Sequence, residues 1–257
     1  MRVTLAGGDG VMIFMPEFDT GIAGQLVQNR AITFDPDTGP DAGWKMNTHK
    51  RYPHAPRSPF RIDLAAPLRS VSPFRRKIAR QIETILLYGS HLPFDYISDA
   101  SYVITPLVAV LSDMMGTPMI SPRFSDMMDS MISPRLQIVN HGLEEEIDGF
   151  WEAGKSVVII GDVRTSNREL QEIVDLYRRH RLIVSACITV IDQSADEDCL
   201  VGDVPYIAVF KWTKLLGFYL YQRVVMPELH DRCLCYPAEL QAYMNARNER
   251  RESSILT

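Results

Sequence analysis

The chain of 257 residues has no apolar run approaching the ~20 residues that a membrane-crossing helix requires, so neither a transmembrane helix nor a membrane partner is expected. Its first residues, MRVTLAGGDGVMIFMPEF, lack an uninterrupted apolar core of secretory length, because Gly7, Gly8, Asp9 and Gly10 break it. A soluble, cytoplasmic protein is the expectation. Cysteine is scarce: Cys187, Cys199, Cys233 and Cys235 show no paired CxxC spacing, which argues against a zinc site and for free thiols in a reducing compartment. Excess positive charge is missing too, and a net charge of -5 argues against a protein built mainly to coat nucleic acid. What is present is 46% apolar content, enough at this length for one large domain with an attached arm.

The clearest pattern lies at Ser156 to Asp192. Val157 to Ile160 form a short apolar, β-branched run suited to a strand buried on both faces. A polar loop, Asp162 to Arg168, follows. Ser166 with Glu169 three residues on reads as a capping box, and Leu170, Ile173, Val174 and Tyr177 recur on one helical face. A second apolar run from Leu182 to Ile191 returns as a strand, completing a βαβ unit whose loop sits where open α/β sheets bind ligands.

Before this unit, residues 1–57 are dense in Gly, Pro and Asp without clear periodicity and read as an arm or hood with short strands. From Trp44 to Leu64, Lys45, Lys50, Arg51, Arg57 and Arg61 stand among prolines, either as a solvated linker or as a cationic flap over an anion. Ser72 and Pro73 start a helix ending at Gly89, with Ile78, Ile82, Ile85 and Leu86 as its buried stripe and Arg75, Arg76, Lys77 and Arg80 on the remainder. Tyr96–Ile97, a loop from Asp99 to Thr105, a helix from Pro106 to Met115 closed by Gly116, and a strand at Pro118 to Ser121 form another strand-loop-helix-strand unit. Met119 to Arg123 (MISPR) recurs at Met131 to Arg135, a duplication inside a Met-rich loop, residues 119–143, that suits a mobile lid or a protein-partner surface. Tyr206 to Phe210 reads as a strand and Thr213 to Val225 as a helix, and residues 245–257 as a charged, disordered tail after an α/β domain spanning 58–244.

In this order and spacing the units resemble the type I phosphoribosyltransferases, and the orotate phosphoribosyltransferases most closely. The resemblance runs from Trp44 to Val225. It rests on SPFRIDL, on FDYISDASYVITP where the family has its pyrophosphate loop, on His141-Gly142, on GKSVVIIGDVRTSN at the phosphoribosyl-diphosphate motif, and on YIAVFKWTKLLGFYL. It implies a Rossmann-like, mostly parallel sheet flanked by helices, with an N-terminal hood. It further implies that Asp162 holds ribose hydroxyls and that Thr165, Ser166, Asn167 and Arg168 hold a phosphate, in a family whose members are commonly homodimers.

The motifs depart from the family pattern at three places. The first acid of the usual pair is Gly161, leaving Asp162 alone, and Asn167 stands for a glycine, where its tolerance of positive φ would serve. In the pyrophosphate loop (Asp99, Ser101, Tyr102, Val103, Ile104) an acid and two β-branched residues replace Gly and the Lys-Gly pair. In the mobile loop Arg123 and His141 match, but Phe124 stands for a Lys and Ser125 to Asn140 contains no lysine. One transition-state donor is typically worth ~10² to 10³ in rate, so these losses together predict little transferase activity.

The leading expectation is therefore a catalytically inactive binding, regulatory or assembly module that takes a nucleotide or phosphate ligand, with no cofactor and no metal. The alternative is an active, divergent transferase using Mg²⁺ with phosphoribosyl diphosphate, in which Arg123, His141 and Asp162 act. An RNA-binding regulator using Arg75, Arg76, Lys77, Arg80 and Arg178, Arg179, His180, Arg181 ranks third.

Overall fold

The computed structural model describes residues 2–6, 11–15, 17–37, 39, 42–46, 48–89, 93–123, 146–194 and 199–255. The chain begins with an antiparallel hairpin of β1 (Arg2–Ala6) and β2 (Val11–Met15). Asp19 then caps α1 (Thr20–Gln28), its Oδ1 accepting from the Ile22 amide at 2.8 Å. Periodicity does exist in the N-terminal segment after all. Ile22, Ala23 and Leu26 share the inner face of α1 and join the main core. β3 (Ile32–Phe34), the single-turn α2 (Thr48–Arg51) and β4 (Phe60–Ile62) follow, with β3 and β4 antiparallel.

α3 (Ala65–Ser70) leads into α4 (Ser72–Thr84), which carries Pro73 in its first turn and passes into a π-helical turn at Ile85–Gly89. Ile78, Ile82, Ile85 and Leu86 are all buried, as their spacing requires. β5 (Tyr96–Asp99) and β6 (Met119–Pro122) flank α5 (Thr105–Met115), which ends on Gly116 at φ 62. After β7 (Ile147–Asp148) comes the central unit: β8 (Ser156–Arg164), α6 (Arg168–Arg179) and β9 (Ile183–Asp192). The chain closes with β10 (Leu200–Val201), β11 (Val204–Lys211), α7 (Trp212–Tyr221) and α8 (Pro227–Ile255). The charged stretch from Asn245 is thus the end of a helix and not coil, consistent with its run of Ala, Arg and Glu, all strong helix formers.

Seven strands form the main sheet in the order β10-β11-β9-β8-β5-β6-β7. Pairings from β11 through β6 are parallel, and the two outer ones, β10–β11 and β6–β7, are antiparallel. Alternate side chains of β8 face opposite cores. Val158 and Ile160 pack with residues of α1, α4, α5 and α7, whereas Val157 and Ile159 pack with Leu170, Ile173, Val174 and Tyr177 of α6. Helices therefore cover both faces of a mostly parallel sheet, the α/β architecture expected.

β8 is longer than the apolar run suggests. Its register with β5 ends at Ile160 opposite Asp99, but β9 continues to pair with it through Gly161↔Thr189, Val163↔Ile191 and Arg164↔Asp192. Backbone bonding to β9 holds Gly161 to Arg164 extended where composition suggested a loop. At the other end, the Asp95 carboxylate accepts from the Ser156 amide at 2.8 Å and hydroxyl at 2.9 Å, fixing where β8 enters.

Candidate functional site

The carboxyl ends of β5, β8, β9 and β11 lie side by side, and the residues singled out by sequence gather there. Because β8 extends to Arg164, only residues 165–167 connect it to α6. Thr165 and Ser166 are exposed, and Asn167 is half-buried. The predicted capping box does not form: the N-cap position falls on Asn167, whose side chain makes no capping bond. Asn167 has φ -76, in the ordinary right-handed region, so its tolerance of positive φ goes unused. Arg168 turns along its helix to meet Glu172 at 2.9 Å and remains largely exposed. What this loop offers is an uncapped helix N-terminus of twelve residues with two exposed hydroxyls beside it.

Asp162 is half-buried, and its Oδ1 accepts from Ser101 Oγ at 3.3 Å, so the loop after β5 and the end of β8 meet at this pair. Burial pushes the Asp162 carboxyl above its ordinary pKa. Beside it Gly161 is buried, and a Cβ there would lie 3.0 Å from Thr189 Cγ2 and 3.7 Å from both Ala100 Cβ and Leu170 Cδ2. A side chain at this position would therefore meet closely packed neighbours.

The β5 loop is likewise occupied by internal contacts. Asp99 is 3% exposed; its Oδ2 accepts a short bond from Thr105 Oγ1, and its Oδ1 is buried with no partner among the described residues. Burial raises its pKa against the opposing pull of the Thr105 and Ser121 hydroxyls. Ser98 Oγ meets the Tyr177 hydroxyl at 2.5 Å. Tyr102 is exposed with the Arg69 guanidinium 5.7 Å above its ring, Val103 packs against the core, and Ile104 is fully buried. Arg123 pairs with Asp148 of β7 at 2.5 Å. His141 lies outside the described residues, as does residue range 124–145 of the duplicated loop.

No protein-family model matches the chain. It is 26% identical to the orotate phosphoribosyltransferase of Caenorhabditis elegans over 161 residues, 62% of this chain and 65% of that protein, just under two thirds of the relative's length. The fold matches the UMP synthase of Leishmania donovani with a TM-score of 0.57 and 19% identity, over 88% of this chain and 42% of that one. It also matches the orotate phosphoribosyltransferase of Francisella tularensis with a TM-score of 0.55 and 15% identity, over 83% of this chain and 96% of that one. This is a type I phosphoribosyltransferase fold, most like that of the orotate phosphoribosyltransferases.

Within that phosphoribosyltransferase fold, Arg164, which in the sequence reads as charge that helps bind a phosphate or fills the site, belongs to a cluster that sequence reading missed. Arg164 has no solvent-exposed side-chain surface; its Nη1 donates to Asp192 Oδ2 at 3.2 Å, and its guanidinium lies 4.2 Å from the Tyr206 ring centroid. Lys211 Nζ reaches the same Asp192 oxygen at 2.5 Å. These three charges terminate the adjacent strands β8, β9 and β11. An arginine four residues beyond an apolar run looks like loop charge in a sequence. The signal that distinguishes it is Asp192 and Lys211, each closing its own apolar strand run.

The second basic patch proves largely neutralised. Arg178 pairs with Asp203 at 2.9 Å, and Arg179 and His180 pair with Glu146 at 3.5 and 2.8 Å. No helix among the described residues is long and apolar enough to cross a membrane, and no group of three or more His, Cys, Asp or Glu among them is placed to hold a metal.

Proposed function

We propose that this chain is a phosphoribosyltransferase-fold protein that does not transfer phosphoribose and serves as a binding, regulatory or assembly module. The observation carrying this reading is the packing at Gly161, where a Cβ would lie 3.0 Å from Thr189 Cγ2, a tight fit for any side chain at the position where the resembled motif has an acid. The pyrophosphate-loop positions agree with it: Asp99 is a buried acid where the resemblance calls for backbone access and a cation, and Val103 and Ile104 belong to the core. Mg²⁺ with phosphoribosyl diphosphate fits these residues poorly, since the acidic pair of the resembled motif is reduced to Asp162, whose nearby carboxylate Glu169 belongs to α6, and the diphosphate region carries the acid Asp99. No transfer step is derived through that pair.

The ligand of this module is a monophosphate group, alone or on a nucleotide. Thr165, Ser166 and Asn167 at the uncapped start of α6 supply hydroxyls and amides, and the helix dipole favours the anion. The protein acts as a homodimer, and residues 119–143 supply a partner-binding surface. Titration calorimetry with ribose 5-phosphate, uridine monophosphate and phosphoribosyl diphosphate tests the reading, alongside an assay for orotidine monophosphate. Monophosphate binding without turnover is expected; sustained, Mg²⁺-dependent product formation would overturn it.

One observation favours the alternative of an active, divergent transferase. Asp162 keeps the position of the second family acid, and Ser101 holds it at 3.3 Å. On that reading Asp162→Ala abolishes turnover.

A further inference from the structure

Away from the Thr165–Asn167 loop, Arg164 presents an unfilled pair of donors. Its Nη1 is taken by Asp192, while Nε and Nη2 are buried with no partner among the described residues. These two atoms form one edge of the guanidinium, whose parallel N–H groups match two oxygens of a single carboxylate or phosphate. The Tyr206 ring centroid lies 4.2 Å from the guanidinium carbon.

Asp192 cannot serve the edge as well. Its Oδ2 already takes Arg164 and Lys211, and its Oδ1 takes the Ser194 amide at 2.9 Å and hydroxyl at 2.6 Å. Among the described residues, one carboxylate thus faces two cations. A bridging water would fill the donors but bring no charge. Lys211, with 20% of its side chain exposed, marks the side from which solvent reaches the cluster.

We propose that the ends of β8, β9 and β11 form a second oxyanion site, in which the Nε–Nη2 edge of Arg164 and the ammonium of Lys211 hold one small carboxylate or phosphate group. Its residues lie outside the loop assigned to the phosphoribosyl ligand, so the two sites are separable by mutation.

Thermal shifts and titration calorimetry in inorganic phosphate and in acetate, each balanced with NaCl to constant ionic strength, test the proposal. The full chain is expected to show a saturable response to at least one anion. Arg164→Lys, which keeps the charge but loses the two-donor edge, should weaken it by about tenfold or more. Lys211→Met should weaken it as well, and serves as the readout if Arg164→Lys fails to fold. Thr165→Ala with Ser166→Ala removes phosphate held at the loop, and the response that remains in that variant should still be lost on Arg164→Lys. A response confined to phosphate or to acetate identifies the class held. The proposal is overturned if neither anion gives a response beyond NaCl, if Arg164→Lys and Lys211→Met bind as the parent does, or if only the loop variant loses binding.

Discussion

Gly161 and Thr189 sit opposite each other in the β8–β9 register, and a Cβ on the glycine would stand 3.0 Å from Thr189 Cγ2. The threonine is not free to swing aside, because its hydroxyl meets that of Tyr206 at 2.5 Å. Gly161→Ala is expected to cost ~1–3 kcal/mol through overpacking. Gly161→Asp should cost more, because it adds a buried carboxylate, and should bring no transferase activity. Urea denaturation and the orotidine monophosphate assay measure both, and Thr189→Ser should rescue much of the alanine variant's loss.

Asp192 is the only anion shared by Arg164 and Lys211 among the described residues. Asp192→Asn keeps the shape and the bonds to Ser194 but leaves two cations poorly compensated. The expected loss is ~3–5 kcal/mol, the scale for removing one partner of a buried pair. Combining it with Arg164→Met should cost less than the sum of the single changes, a coupling that a double-mutant denaturation cycle reads directly.

Burial raises the Asp99 pKa above its ordinary 3.8, so the native state holds this proton more tightly than the unfolded chain does. Ionised Asp99 therefore costs stability at neutral pH, and the cost is absent below pH 3.8. Asp99→Asn should be more stable than the parent at pH 7, with the difference shrinking as pH falls through the raised pKa. Melting temperatures across the acid range check the sign; an unchanged difference at pH 7 and in acid would contradict it.

The Ser98–Tyr177 hydroxyl pair predicts an asymmetry. Ser98 Oγ also donates to the Asp99 carbonyl at 3.1 Å, whereas the Tyr177 hydroxyl is buried with Ser98 as its partner. Tyr177→Phe should cost about 0.5–1.5 kcal/mol, and Ser98→Ala, which orphans the phenol, about 1–3 kcal/mol. Equal losses would place the two hydroxyls in equivalent settings.

Where apolar period and breaker residues agree, the sequence specifies its elements. α4, α5, β5, α6, β9 and α7 follow from stripes such as Ile78, Ile82, Ile85 and Leu86 and from stops such as Gly116. α1 was hidden because Gly21 and Gly24 lower its helix propensity, and its stability comes from the Asp19 cap and from burying Ile22 and Leu26. The end of β8 was hidden for a different reason. Gly161, Asp162 and Arg164 carry loop chemistry, and only pairing with the distant β9 makes them strand. Among the site residues, pattern alone set Gly161 and Asn167 apart from the resembled motif. It did not show how closely Thr189 packs against Gly161, which depends on a residue nearly thirty positions away.

The antiparallel pairing of β6 with β7 carries a practical consequence. Ser121↔Asp148 and Pro122↔Ile147 are in register, and the Arg123 amide donates to the Glu146 carbonyl at 2.8 Å. The two points at which residues 124–145 leave and rejoin the sheet are thus stapled together by backbone bonds and by the Arg123–Asp148 ion pair, whatever joins them. Loop closure costs only about 0.6 kcal/mol more for each doubling of length. This position is accordingly a natural graft point: a Gly-Ser linker, a binding peptide or a small reporter domain with adjacent termini can replace the duplicated segment while the seven-stranded sheet is left intact.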